Sequence, residues 1–460
     1  MAQEAAANAK ANLLFVETPQ LAPGPLGQRF PKGSCIVRWN RAVANREPTH
    51  LTDGFFAAAD PQINFEGTKV LFSGQKNNGE HWQMWEMDLK GGNRRQITHC
   101  AQDCLRGAYL PADEIGFTVE DSEGSRQQSY LAVMNADGSQ VRSITYGPAD
   151  FQLETVLRDG RIVASAPWPL TGPNGNSGSR GLYTLRPDGT ALESFRCEHH
   201  EAVVQGDADE LEDGSLVFVR EHRGSAVPGG ELARIPRGSA AAVPLGDRES
   251  IFESPRQVSA DELIVAKAGV ASAGSPTKFD LYSVRAKTGV LGDRIFADAK
   301  LSSIQPVLIA QHAVPKRYWS TLNPDSEDGY FISLDSYSTA DVPGGRIKTP
   351  IAQVRLMTLN TVDGQERSLG EAPVESDGSF YVRVPANAPV RFILLDGKGQ
   401  PIHEERSWVW ARPGEQRGCA GCHGEKNVAP ENHWPMTLKR FDTPTPLGDS
   451  EHALAKSQAN

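Results

Sequence analysis

The sequence predicts an all-β protein, with a six-bladed β-propeller over residues 12–302, a β-sandwich-like domain over 303–411 and a short C-terminal segment, 412–460, of different composition. Three observations predict it. A strand-and-hairpin phrase recurs at intervals of roughly 46 to 54 residues, which is the spacing of four-stranded propeller blades. The recurrence stops near Lys300 while short apolar runs continue, and from Arg412 onward prolines and glycines interrupt any regular pattern. A chain of 460 residues has room for two or three domains, and all-β domains run long.

The phrase is a turn, a β-rich run, a second run, a tight Gly or Asp-Gly hairpin and a short apolar-Thr strand. It begins at Pro61, Tyr109, Glu154, Asp209 and Arg256, with Gly67, Asp113, Gly160, Gly214 and Asp261 as the equivalent turn positions. Long helical periodicity is absent, and the hairpin residues are those that tight antiparallel turns require. Five blades are explicit. A sixth is expected from Asn12 to Thr52, with a strand from Ser303 to Ala310 closing the ring. Beyond it, GYFISLD, RIKTPIAQVRLMTL, GSFYVRVPA and VRFILLDGKGQPI read as strands separated by Gly, Pro and Asp turns, hence a sandwich.

Charge narrows the function. With 47 Lys plus Arg against 57 Asp plus Glu, the chain has a formal net charge of -10 and no basic cluster, so nucleic acid is not an expected partner. No apolar run is long enough for a membrane span. The N-terminus lacks the apolar core of a secretory signal, and the small-residue run from Ala5 is what a mature chain with its leader already removed would show.

The chemistry resides in Cys419-Ala-Gly-Cys422-His423, the c-type haem attachment pattern. Two thiols three positions apart can each form a thioether with one vinyl group of a haem, and the next residue offers an imidazole to the iron. The expectation is one covalent haem c, held by Cys419 and Cys422, with His423 as proximal ligand. A zinc site from Cys419, Cys422, His423 and His433 lacks a second pair at finger spacing, and a dithiol reading lacks a βαβ setting. For the distal position His433 and Met436 are nearest in sequence, His99, His312 and His403 are more remote, and an open iron is the further alternative. Trp408 and Trp410 are expected as walls, and Arg412 and Arg417 as propionate partners or solvated side chains.

Haem attachment takes place outside the cytoplasmic membrane, so a periplasmic or extracellular location is expected. There Cys35, Cys100, Cys104 and Cys197 could pair in three ways or remain thiols. Two further clusters stand out. Cys197-Glu198-His199-His200-Glu201 has metal-binding residue types but reads as a solvated loop, and the acidic run Asp207 to Asp213 lacks the alternation of a calcium loop.

The recurring phrases resemble the TolB-type WD-like propeller repeat, over about 290 residues. The run AQVRLMTL, then LGEAPVESDGSFYVRVPANAPVRFILLDGKGQPI, then RSWVWARPGEQRGCAGCH resembles the haem-bearing region of proteins related to the alpha subunit of hydrazine synthase. That resemblance implies a propeller coupled to a β-rich cytochrome domain in an exported protein. It does not carry over hydrazine formation. The family enzyme has a tyrosine available to iron four positions after the motif histidine, where this sequence has Asn427, and it has a second haem domain beyond the first.

The function expected from these residues is one-electron transfer to or from a redox partner protein, with the propeller as docking surface. The alternatives are a haem enzyme acting on a small nitrogen compound or peroxide at an open iron, as the resemblance would have it, and a scaffold subunit of a larger redox assembly.

Overall fold

The computed structural model describes residues 12–21, 26–43, 47–121, 128–171, 179–195, 203–222, 228–239, 241–247, 249–269, 278–339, 341–360, 364–421 and 434–448. Within them the chain is all-β. The exceptions are a four-residue helix, Leu26–Arg29, and a 3-10 turn, Met436–Lys439.

The repeats become four-stranded antiparallel sheets of propeller type. Ala57–Ile63, Lys69–Gln75, Gln83–Asp88 and Arg95–Gln96 form one, and Asp103–Leu110, Glu114–Asp121, Gln128–Asn135 and Arg142–Ser143 form the next. Two further sets, starting at Gln152–Val156 and Val203–Glu210, join through a single parallel pair, Arg180 with Val204. Ser250–Ser259 opens another sheet. In the remaining one, Asn12–Thr18 lies between Cys35–Asn40 and Ser302–Leu308, so the two ends of the repeat region share a sheet.

Local chemistry explains the hairpins. Asn64 Oδ1 accepts the backbone N–H groups of Thr68 and Lys69 at 2.7 and 2.8 Å, and Gly67 turns the chain at φ +73°. A Cβ at Gly67 would sit 2.8 Å from the backbone nitrogen of Gln311, so glycine is required there both by conformation and by the passing chain. Strands between neighbouring sheets are covered on both faces, which is why Lys69–Gln75 buries five consecutive residues rather than alternate ones. The apolar cores lie between successive sheets: Leu71 and Met84 against Ile115 and Phe117, Leu157 and Val163 against Phe218 and Ala233, Leu232 and Phe252 against Leu263 and Val265.

The second region is two four-stranded sheets over one core. Asp328–Ser333 and Phe380–Pro385 alternate buried and part-exposed residues along their length, as half-buried strands do. Phe331, Val382 and Val384 meet Val354, Leu356, Phe392 and Leu394 of the opposing sheet. Gln416–Cys419 adds to Asp328–Ser333 in parallel, with Cys419 opposite Ser333.

Candidate functional site

Cys419 is the last residue of that added strand. Its carbonyl accepts the backbone N–H of Leu334 at 2.9 Å, and its side chain packs half-buried against the sandwich core. The thiol is free, and burial raises its pKa. Two residues on, Gly421 lies against the turn after Ser333: a Cβ there would approach Ser338 O to 2.7 Å and Asp335 O to 3.1 Å. The same turn packs on Gly378, whose added Cβ would meet Asp335 Oδ1 at 2.7 Å. Cys422, His423 and His433 lie outside the described residues.

Of the other ligands considered, Met436 is held on the hairpin around Gly378. Its N–H donates to Asp377 Oδ2 at 2.8 Å, and its Sδ accepts from Ser376 Oγ at 3.3 Å. His312 packs on Phe65 of the propeller at 5.3 Å, and His99 bonds Gln96. His403 is in the sandwich, and its buried Nε2 has no hydrogen-bond partner, the nearest carboxylate oxygen, Asp341 Oδ2, being 3.9 Å away.

The aromatic and arginine residues upstream of the motif form a seam between the two regions. Trp410 is 1% exposed and sits in a propeller core with Leu131, Phe151 and Tyr183, and its Nε1 donates to Gly189 O at 3.1 Å. Arg412 is buried, donating to Asp188 O at 2.8 Å, to Asn387 Oδ1 at 2.6 Å and to the Tyr146 hydroxyl. Arg417 donates to Trp410 O and to Leu192 O, at 2.9 and 3.0 Å. Trp408 N–H donates to Leu170 O at 2.9 Å. Arg412 is therefore not the solvated side chain that was one expectation, since it fastens the sandwich onto the propeller a few residues before Cys419.

The sequence reading missed the polar axis of the propeller. At the innermost strands, Asp60, Arg106, Asp207, Ser254 and Gln305 all have φ near +50°, and the pairing register slips at or beside each of them. Such bulges re-aim a side chain, and these residues, with Glu154, line one small axial cavity. Arg106 bridges Glu154 at 2.9 Å and Asp207 at 3.1 Å, and Arg29 reaches Glu253 at 2.6 Å. Burial drives the Glu253 carboxyl well above its usual pKa, with the Arg29 charge opposing. Asp207 goes the other way: burial raises it, but its contacts with Glu253, Arg29 and Arg106 outweigh that. The available signal was a polar residue beside Pro or Gly within an otherwise small or apolar strand, as in Asp60-Pro61 and Arg106-Gly107.

The remaining sequence clusters resolve simply. Asp209 pairs with Arg256 and Asp213 with Arg234, so the acidic run is spent on arginines. Cys100 and Cys104 form a disulfide and Cys35 is a free thiol. Residues 196–202, which contain Cys197, His199 and His200, lie outside the described residues. Among the described residues no helix is long and apolar enough to cross a membrane.

A family model described as the hydrazine synthase alpha subunit middle domain matches residues 336–424, which take in Cys419 and the motif. Hydrazine synthase subunit alpha of Kuenenia stuttgartiensis is 32% identical over 576 aligned positions, covering 94% of this chain and 69% of that one. A solved hydrazine synthase structure from the same organism superposes on 93% of this chain and 71% of its own with a TM-score of 0.82 at 18% identity, so the fold is shared. TolB of Acinetobacter baumannii covers 65% of this chain and 66% of its own at 13% identity with a TM-score of 0.44, a much looser likeness.

Proposed function

This chain belongs to the family of hydrazine synthase alpha subunits, and from that premise we propose that it is an exported haem subunit acting on a small nitrogen compound within a multi-subunit redox assembly. A freestanding monohaem electron carrier, the function first expected from the motif, is the weaker reading, because the relative is by name a synthase subunit. The supporting observation is Cys419: a free, strand-held thiol at the rim of a folded sandwich, opening a C-x-x-C-H motif inside the matched region.

The residues fit a covalent haem. Cys419 is presented from a fixed strand, its thiol is unengaged by any disulfide, and Gly421 permits the chain to turn closely over Asp335 and Ser338. Cys419 and Cys422 would hold the group and His423 would offer its imidazole to the iron. When bound, such a group supplies one-electron exchange and a coordination position for a small ligand. The chain's own contribution is to bury the attachment point, to fix it against the propeller through Trp410, Arg412 and Arg417, and to keep Met436 engaged with Ser376 and Asp377. That engagement argues against Met436 as the ligand opposite His423.

We count six blades in the propeller, with the sheet of Asn12–Thr18 and Ser302–Leu308 closing the ring, and accordingly place the end of that domain at Leu308 rather than at residue 302. The Cys100–Cys104 disulfide suits an oxidising, periplasmic or extracellular compartment.

The test is expression with a c-type maturation system. A haem-staining band on a denaturing gel, with a high-spin ferric spectrum and ready carbon monoxide binding, is the expected result. A six-coordinate low-spin spectrum indifferent to carbon monoxide would return the electron-carrier reading, and a bare polypeptide mass would remove both.

A further inference from the structure

We propose a zinc-binding site at Cys35, His50 and Asp53, with Glu17 orienting the histidine. It lies in the propeller, on the sheet that also holds Ser302–Leu308, and shares no residue with the haem motif.

Three neighbouring strands bring the groups together. Cys35 opens its strand directly opposite Glu17 in the register of Asn12–Thr18, and His50 pairs with Val37 one strand further out. Thr52 pins the following turn by accepting the backbone N–H of Ile36 at 2.9 Å, and its Oγ1 lies 3.3 Å from Cys35 Sγ. One ligand atom from each of Cys35, His50 and Asp53 then falls within 4.8 Å of the others.

The distances have the pattern of a metal-binding histidine. Nδ1 of His50 is 3.5 Å from Asp53 Oδ1, and Nε2 is 3.4 Å from Glu17 Oε2. Tetrahedral zinc with bonds of about 2.0 Å to nitrogen or oxygen and about 2.3 Å to sulfur sets its ligands roughly 3.3–3.6 Å apart. The His50–Asp53 separation already matches. Closing Cys35 onto the same ion takes a shift of about 1 Å from that spacing, which the exposed Asp53 side chain and the half-exposed His50 ring can share.

Glu17 supplies what a ligating histidine needs on its other nitrogen. It is buried, with Oε2 3.4 Å from the His50 Nε2. Accepting the Nε2–H, it fixes the tautomer whose Nδ1 lone pair faces Asp53. Cys35 is a free, half-buried thiol with its Sγ 3.3 Å from Thr52 Oγ1. Binding therefore replaces the thiol proton by zinc: one S–H bond breaks, one Zn–S bond forms and one proton leaves to solvent. Water fills the fourth position. A thiolate, an imidazole and a carboxylate together select zinc over calcium or magnesium, which take oxygen ligands.

The experiment uses the full, haem-loaded chain equilibrated with zinc chloride and dialysed. Zinc content is measured by elemental analysis and the coordination shell by zinc-edge X-ray absorption, which haem iron does not obscure. Wild type should bind one equivalent that is lost in Cys35→Ser, with one sulfur scatterer at about 2.3 Å that vanishes in the same variant. Asp53→Asn, at a side chain 73% exposed and so without effect on folding, should weaken binding at least tenfold. Glu17→Gln should weaken it about 10–100-fold. A wild-type shell without sulfur, or Cys35→Ser and Asp53→Asn proteins that retain wild-type stoichiometry and affinity, would overturn the site.

Discussion

Replacing Trp410 by alanine tests whether the sandwich is locked to the propeller by this buried ring, a few residues ahead of Cys419. Trp410 belongs by sequence to the sandwich and by packing to the propeller: its ring lies edge-on to Phe151 at 5.8 Å and to Tyr146 at 6.0 Å, and its Nε1 donates to Gly189 O. Truncating a buried tryptophan costs about 3–5 kcal/mol. Each aromatic pair contributes about 0.5–1.5 kcal/mol of that and the hydrogen bond about 1 kcal/mol. Because the loss falls on the seam, Trp410→Ala should split a single calorimetric unfolding transition into two, one for each region. Trp410→Phe keeps most of the ring but orphans the Gly189 carbonyl, so it should cost about 1–3 kcal/mol and leave the transition single. An alanine variant that loses less than about 1 kcal/mol, or a phenylalanine variant as damaged as the alanine one, would show that the ring is not seated in that core.

Cys419→Ser together with Cys422→Ser should abolish haem staining after denaturation, and either alone should leave a single, more labile thioether, read by the pyridine haemochrome spectrum. Arg106→Ala strands the buried carboxylate of Glu154, leaves Asp207 with Arg29 as its cation, and should cost about 3–5 kcal/mol in urea denaturation, more than any exposed arginine change. Glu253 has a folded pKa raised by burial, so its contribution to stability is complete below the unfolded carboxyl pKa and is lost as pH rises through the folded one. Glu253→Gln should therefore gain on the wild type as pH rises from about 4 towards neutrality, and a constant difference across that range would refute the assignment. Removing the Cys100–Cys104 disulfide by a double serine substitution closes no long loop, the two being four residues apart, and should cost about 2 kcal/mol, measured by thermal unfolding.

What the sequence disclosed and what it hid follow from the range of the interactions involved. Hairpins were legible because they are local: Gly67 and Gly160 mark turns whose positive φ only glycine accepts at no cost, and they recur at the blade period. The pairing of Asn12–Thr18 with Ser302–Leu308 was inferable only from the repeat, since the first phrase supplies three strands, Asn12–Thr18, Cys35–Asn40 and Thr49–His50, and the fourth has to come from beyond the last phrase. The cysteine motif was legible because its spacing is itself the chemistry. The seam was not. Trp410, Arg412 and Arg417 stand a few residues before that motif, and aromatic and cationic residues beside a haem sequence read as cofactor walls. Their partners, Gly189, Asp188 and Leu192, are more than 200 positions away, and nothing local announces them.

The polar axis and the seam bear on the same functional question from opposite sides. A propeller that merely offered a docking face would gain nothing from burying Arg29, Arg106, Asp207 and Glu253 along its axis, because buried ion pairs are poor sources of net stability. They are retained where bulges in successive inner strands turn charged side chains inward, which makes the ring a rigid support whose inner strands cannot slip register without stranding a charge. The sandwich is fastened to that support by a buried tryptophan and two arginines directly ahead of Cys419. An electron carrier needs only that its cofactor lie near a surface. A site that must hold a small ligand in one orientation needs its attachment point fixed to a rigid body, and the proposed function calls for the kind of fastening that Trp410, Arg412 and Arg417 give the strand of Cys419.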